Sequence, residues 1–271
     1  MEKGELLGKG MTAEVYQWGP DKVLKLYYDR YSEEWVKYEA DIGQKVHDAG
    51  VSSPAVFEMV EINGRRGILF ERIPGKTLTS IILKEPWMFF TFVYQMARFQ
   101  HNIHKITTDN IPSQKEKFTR TITLSSKILG DKVDKILDYV DRLPKRDNIC
   151  HGDMYLSNII HSNSNNKLVA IDWSSGYRGD PAGDVARTCL IINSPATLPG
   201  TPDILTSMSK FPKSFTHRTY LNEYMRISKV KFEDVDAWML PVAAAKLKDK
   251  IPGEEKWLMK IINTRLEQLK A

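Results

Sequence analysis

Up to Pro74-Gly75 the chain reads as short β-type runs, at residues 14–18, 22–28, 56–62 and 66–72. The last two flank Asn63-Gly64, a dipeptide that tolerates positive φ and predicts a tight hairpin. One helix interrupts these strands. Ser32 can cap it, Glu33 and Glu34 suit its positive end, and Gly50 follows its close. Beyond Pro74-Gly75 apolar residues recur every three to four positions, over 87–103, 132–143, 183–192, 215–228 and 233–247. Pro241 should kink or divide the last of these. A strand pair, 159–160 with 168–171, interrupts the helical half across the polar run 162–166. The pattern predicts an α+β protein in which a small antiparallel-sheet N-lobe (1–72) leads through a short hinge (73–76) into a large helical C-lobe (77–271) that carries the second hairpin.

Composition narrows the class only a little. The 271 residues are 42% hydrophobic and 27% charged, ordinary for a globular protein. No apolar run approaches the roughly 20 residues of a membrane span, and Met1-Glu2-Lys3-Gly4-Glu5 is unlike a signal peptide. A cytoplasmic protein with no membrane partner is therefore expected. Cys150 and Cys189 lack the spacing of a zinc site and read as small buried hydrophobes. The formal charge of +5 comes from 39 basic against 34 acidic residues mixed along the chain. With no arginine-rich arm, it gives no case for a nucleic-acid partner, and the run 246–250 reads as a solvated face. No motif sets the oligomeric state.

Three constellations carry candidate chemistry. In the first, Gly8 and Gly10 precede a strand, and Val15 falls where a phosphate-binding loop would place its β-branched residue. Ala13 stands in place of a third glycine, and an ordinary tight hairpin accounts for the same residues. In the second, Trp35, Glu39, Ile42 and Val46 share one face of the first helix, which puts the Glu39 carboxylate on the apolar side. A buried charge needs a partner, and Lys25, on the strand face of Val23 and Tyr27, is the obvious one. A snorkelling lysine and a rim glutamate are the alternative.

The third is the most specific. Asp153 and Asn158 sit five positions apart in His151-Gly152-Asp153-Met154-Tyr155-Leu156-Ser157-Asn158, and Asp172 ends the apolar strand fourteen residues later. The order matches the phosphoryl-transfer template: an Asp for the substrate hydroxyl proton, then an Asn and a strand-end Asp for magnesium. Mg²⁺ takes hard oxygen ligands, and a hairpin would bring Asn158 and Asp172 side by side.

On these residues the chain resembles the aminoglycoside phosphotransferase/choline kinase superfamily. The carriers are His151-Gly152-Asp153 with Asn158, then Ile171-Asp172-Trp173, then Gly179-Asp180-Pro181-Ala182-Gly183-Asp184. The resemblance implies a two-lobed protein-kinase-like fold and transfer of a phosphoryl group from ATP, with Mg²⁺, to a hydroxyl of a small molecule such as an aminoglycoside, choline or homoserine. It makes Asp153 the catalytic base, Asn158 and Asp172 the metal ligands, and Lys25 the phosphate contact oriented by Glu39. Gly8 and Gly10 would cover the phosphates, and backbone groups near Glu71 and Ile73 would hold adenine. His151, Asp180 and Asp184 would brace the scaffold. Tyr155-Leu156-Ser157 departs from the His-Pro-Gly common in relatives, which touches substrate orientation before catalysis.

Two other readings stay open. A protein kinase is disfavoured, because Trp173-Ser174-Ser175 follows Asp172 and no Ala-Pro-Glu appears. A silent nucleotide-binding pseudokinase is disfavoured by the intact charged set. His101 and His104 read as packing histidines. Trp173, Tyr155 and Tyr177 could line an acceptor pocket or simply pack beneath the loop.

Overall fold

The computed structural model describes residues 3–196 and 213–269. The chain forms two compact units, Met1–Leu78 with Ser157–Gly176, and Thr79–Leu156 with Tyr177–Ala271. The fold is α+β.

The first unit is built on an antiparallel sheet of β1 (Leu6–Lys9), β2 (Ala13–Trp18), β3 (Lys22–Tyr27), β4 (Val56–Ile62) and β5 (Arg65–Glu71), in the order β1-β2-β3-β5-β4. Asn63 and Gly64 turn β4 into β5 with φ of 51° and 77°, the conformation these residue types were expected to permit. Helix α1 (Glu33–Asp48) starts where the Ser32 hydroxyl accepts a hydrogen bond from the Trp35 N–H. Its Val36, Ile42 and Val46 are fully buried. Val36 packs in one cluster with Ala13, Tyr27 and Ile68 of the sheet. Each such side chain contributes about 1.5–3 kcal/mol on burial. Leu24, Leu26 and Leu69 cluster separately with Tyr16, Trp18, Val60 and Ile62, as strand alternation requires. A smaller sheet pairs β6 (Gly75–Thr77), β8 (Ile159–Ser162) and β9 (Leu168–Ala170) in the order β6-β8-β9, so the second hairpin joins this unit.

The second unit is helical: α2 (Leu78–Ile82) at its border, α3 (Phe89–Ile103), α4 (Gln114–Leu124), α5 (Ser126–Leu129), α6 (Lys132–Arg142), α7 (Pro181–Asn193), α8 (Lys213–Ser228), α9 (Phe232–Ala237), α10 (Met239–Lys246) and α11 (Glu255–Gln268). A two-stranded pair, β7 (Asn148–Cys150) with β10 (Tyr177–Gly179), supports the loop that follows β7. None of the described helices is long and apolar enough to cross a membrane.

The helix predicted over 233–247 divides, as Pro241 implied, with Trp238 capping between α9 and α10 and Pro241 in the first turn of α10. There its missing N–H costs no intrahelical bond. Lys246, assigned to a solvated face, is 6% exposed, with its ammonium 2.7 Å from Glu254 Oε2. The pairing makes burial of the charge tolerable; Lys248 and Lys250 of the same run are exposed.

Candidate functional site

In the first unit the structure brings Lys25, Glu39 and Asp172 together. Lys25 Nζ lies 2.5 Å from Glu39 Oε1 and 3.1 Å from Asp172 Oδ1. Burial by itself would depress the lysine, but Asp172 and Glu39 more than reverse this and hold its ammonium above the ordinary range. Glu39 is 1% exposed. One of its oxygens is spent on Lys25, while Oε2 is buried with no hydrogen-bond partner among the described residues. Burial accordingly pushes its carboxyl up, with Lys25 pulling against it. We regard the pair as ionised, because a contact this short is charge-assisted.

Asp172 follows β9 in a left-handed conformation, φ 64° and ψ 66°, which costs a non-glycine residue about 1–2 kcal/mol. Oδ1 accepts from Lys25 and, at 3.1 Å, from the Ser174 hydroxyl. The Ile171 N–H donates to the Asn158 carbonyl at 2.9 Å, so the residues bounding β8 and β9 are neighbours across the hairpin. A carboxylate and an amide oxygen on adjacent backbone fit a hard divalent cation such as Mg²⁺.

Gly8 and Gly10 flank the β1–β2 turn, where Gly8 pairs with Val15 and the Gly10 N–H donates to the Ala13 carbonyl at 2.9 Å. Neither glycine has a positive φ. A Cβ would meet nothing within 4 Å at Gly8, and only the Ala13 carbonyl at 3.6 Å at Gly10. Their small size thus serves no packing within the chain. Contacts that sequence reasoning missed secure the turn. The Tyr28 hydroxyl donates to the Gly10 carbonyl at 3.3 Å, Arg30 to the Met11 carbonyl, and Arg65 bridges Glu14 and the carbonyls of Leu26 and Tyr27. Most of these bonds end on backbone oxygens, which leave no mark on residue type. At the end of β5 the N–H groups of Glu71 and Arg72 donate to Ala55 and Asp21 carbonyls, and Ile73 follows.

In the second unit Asp153 lies in the loop after β7. Gly152 enters it with φ 74°, which only glycine adopts freely. Asp184, on α7 and fully buried, accepts from the His151 and Gly152 N–H groups at 3.1 and 2.7 Å. Gln100 donates to it at 2.9 Å, and His104 Nε2 lies 3.0 Å away. Burial would raise this carboxyl, yet the bonds from His104 and Gln100 hold it well below the usual range. The Asp153 N–H donates to His151 Nδ1 at 3.2 Å. Asp180 caps α7 by accepting from the Ala182 N–H at 2.9 Å. Both aspartates brace the scaffold around the loop, and the sequence pattern pointed to them. Gln100, which also donates to the Thr188 hydroxyl at 3.1 Å, and Arg187, which donates to the Gly152 carbonyl, left no comparable signal.

The other side chains are packing residues. His104 Nδ1 lies 2.6 Å from the Tyr224 hydroxyl, completing a buried network. His104, Cys150 and Asp184 cluster within 4.8 Å, but His104 and Asp184 already bond each other directly. Burial pushes both cysteine thiols up, consistent with inert small hydrophobes. Trp173 and Tyr177 are buried and Tyr155 half-buried.

Comparison with known proteins bears on the family and the fold. The profile of the phosphotransferase enzyme family matches residues 3–205. Acyl-CoA dehydrogenase family member 10 of Mus musculus is 26% identical over 190 residues, 60% of this chain, and the match spans only 17% of that relative's length. A ternary complex of a thermostable aminoglycoside phosphotransferase APH(4)-Ia mutant with AMP-PNP and hygromycin B superposes with a TM-score of 0.61 at 15% identity, covering 96% of this chain and 91% of that one. Plasmodium vivax ethanolamine kinase superposes with a TM-score of 0.54 at 13% identity, covering 95% and 76%. These likenesses place the fold.

Proposed function

Because the chain belongs to the phosphotransferase enzyme family, we propose that it transfers the γ-phosphoryl group of ATP, with Mg²⁺, to a hydroxyl of a small molecule. The observation that carries this reading is the triad of Lys25, Glu39 and Asp172, a half-buried cation clamped by two carboxylates. An isolated structural pair would need only one acid. A lysine held charged and oriented suits the α- and β-phosphates. The bound nucleotide complex of an aminoglycoside relative supports ATP as donor.

In this reading Asn158 and Asp172 would hold Mg²⁺, which would neutralise triphosphate charge. Gly8 and Gly10, uncrowded on their own account, would let phosphate oxygens approach the backbone of this turn, although the Gly10 N–H is already bonded to the Ala13 carbonyl. Adenine would take its donor at Ile73, since the N–H groups of Glu71 and Arg72 are committed. Asp153 accepts the acceptor's hydroxyl proton as its oxygen bonds to the γ-phosphorus. The bond from that phosphorus to the bridging oxygen breaks, and ADP leaves.

Magnesium-dependent ATP consumption, screened over hydroxyl acceptors with wild type and Asp153→Ala, tests the proposal. Acceptor-dependent turnover that falls at least about a hundredfold in the variant is expected. Equal rates in the two proteins would mark a nucleotide-binding scaffold without chemistry.

A further inference from the structure

The peptide unit that leads into Asp153 is held at both of its polar ends. The Asp153 N–H donates to His151 Nδ1 at 3.2 Å, and the Gly152 carbonyl accepts from Arg187 Nε. One peptide earlier, the Gly152 N–H donates to Asp184 Oδ1 at 2.7 Å. Asp184 and Arg187 stand three residues apart on α7, so one face of that helix grips Gly152 by its N–H and its carbonyl alike. Asp184 by itself would not fix this geometry. Glycine is conformationally permissive, and the peptide that follows Gly152 rotates at low cost unless its carbonyl is held.

Arg187 is in turn fixed by its surroundings. Its side chain is 12% exposed, and Nη2 donates to Asp249 Oδ2 at 3.1 Å. Asp249, at the end of the 3₁₀ turn Leu247–Asp249, also lies 3.8 Å from Lys246 Nζ. Lys246 Nζ lies 2.7 Å from Glu254 Oε2, and the Ser194 hydroxyl that follows α7 donates to Glu254 Oε1. Two cations and two carboxylates therefore alternate along a path that starts at the Gly152 carbonyl. Lys246 and Glu254 are buried. A buried ionic set of this kind adds little net stability, and its use here is geometric. The guanidinium is planar with donors in fixed directions, one aimed at the carbonyl and another at the carboxylate. Burial would depress it, but Asp249 and then Asp153 more than reverse this, so Arg187 feels the charge of the residue whose loop it holds.

We propose that Arg187 is a positioning residue for phosphoryl transfer: through the Gly152 carbonyl it sets the peptide that precedes Asp153, and Asp249 orients Arg187. The role of Asp153 as base rests on the phosphotransfer reading; the hold on the loop stands on the hydrogen bonds alone. A carboxylate displaced by about 1 Å from its productive place loses up to roughly a hundredfold in rate.

Two measurements on the full chain test this. The first is Mg²⁺-dependent ATP hydrolysis, with water in the acceptor's place. Arg187→Met should lower kcat about tenfold or more and leave the KM for ATP within about twofold, because the proposed nucleotide contacts Lys25, Gly8 and Gly10 belong to the other unit. Lys246 remains beside Asp249 in that variant, so its carboxylate is not stranded. Asp249→Asn should lower kcat in the same direction by less. The second is amide hydrogen exchange, in which residues 151–153 should exchange about tenfold faster in Arg187→Met while β4 and β5 keep wild-type rates. Thermal melts check folding, and Asp249, 30% exposed, keeps the test open if the Arg187 variant unfolds. Wild-type exchange in the loop, an unchanged kcat, or a KM for ATP that rises as far as kcat falls overturns the proposal. Hydrolysis indifferent to Asp153→Ala would instead count against the phosphotransfer reading, and loop exchange would still decide whether Arg187 holds Gly152.

Discussion

Lys25 and Asp172, 147 residues apart in the chain, meet at 3.1 Å, and Asp172 reaches that position only through a left-handed backbone. The contact ties the strand that presents the lysine to the end of the second hairpin. It also means that changing Asp172 alters charge and backbone strain at once.

Asp172→Gly and Asp172→Ala should therefore separate these effects. Both are expected to abolish magnesium-dependent turnover. The glycine variant should be more stable than the alanine variant by about 1 kcal/mol, since glycine relieves the positive φ and alanine does not. Urea denaturation of the pair measures the difference; equal stability would mean that residue 172 is not held left-handed.

Breaking the Lys25–Glu39 pair from one side should cost more than removing it whole. Lys25→Met leaves Glu39 buried and uncompensated, a loss of about 3–5 kcal/mol. Lys25→Met/Glu39→Gln should recover part of that stability while staying inactive. A double-mutant cycle by denaturant melts, run beside turnover assays, reads both quantities. Additive stability losses would show that the two groups do not interact.

At the β1–β2 turn, Gly8→Ala should change stability by less than about 0.5 kcal/mol, because the added methyl meets nothing within the protein. It should nonetheless raise the KM for ATP several-fold if phosphates approach this backbone. An unchanged KM would make the turn an ordinary hairpin, the alternative that the residues themselves leave open.

The pH dependence of stability should carry the signature of Glu223. Hydrogen bonding from Arg226, with Arg98 adding to it, lowers this carboxyl from 4.5 to about 2. A depressed folded-state pKa stabilises fully above the unfolded value and is lost as pH falls through the folded one. The stability gap between wild type and Glu223→Gln should thus be constant above pH 4.5 and shrink toward pH 2. Both arginines are well exposed, so solvent screens the pair and the gap is modest. Thermal melts across that range test it; a gap that widens on acidification would exclude the ion pair.

Local signals account for much of what was legible from residues alone. Ser32 capping α1, Asn63-Gly64 turning β4 into β5, and the helical spacing that buries Glu39 are each decided within a few residues. Short-range sterics and periodicity therefore predict them. The helix α4, its cap at Ser113, and α11 were not anticipated. Their apolar stripes are narrow, with four buried residues in α4 and two in α11, so packing against neighbours establishes them.

By itself, the sequence offered the candidate residues for phosphoryl transfer and their order: Lys25, Glu39, Asp153, Asn158 and Asp172. Chain spacing can state that much because a loop and a hairpin constrain neighbours directly. Only the tertiary structure decided that Lys25 is shared by two carboxylates and that Asp184 holds the loop by accepting from its N–H groups. Those relationships depend on long-range burial and charge, and such interactions act through space between residues that no local pattern connects.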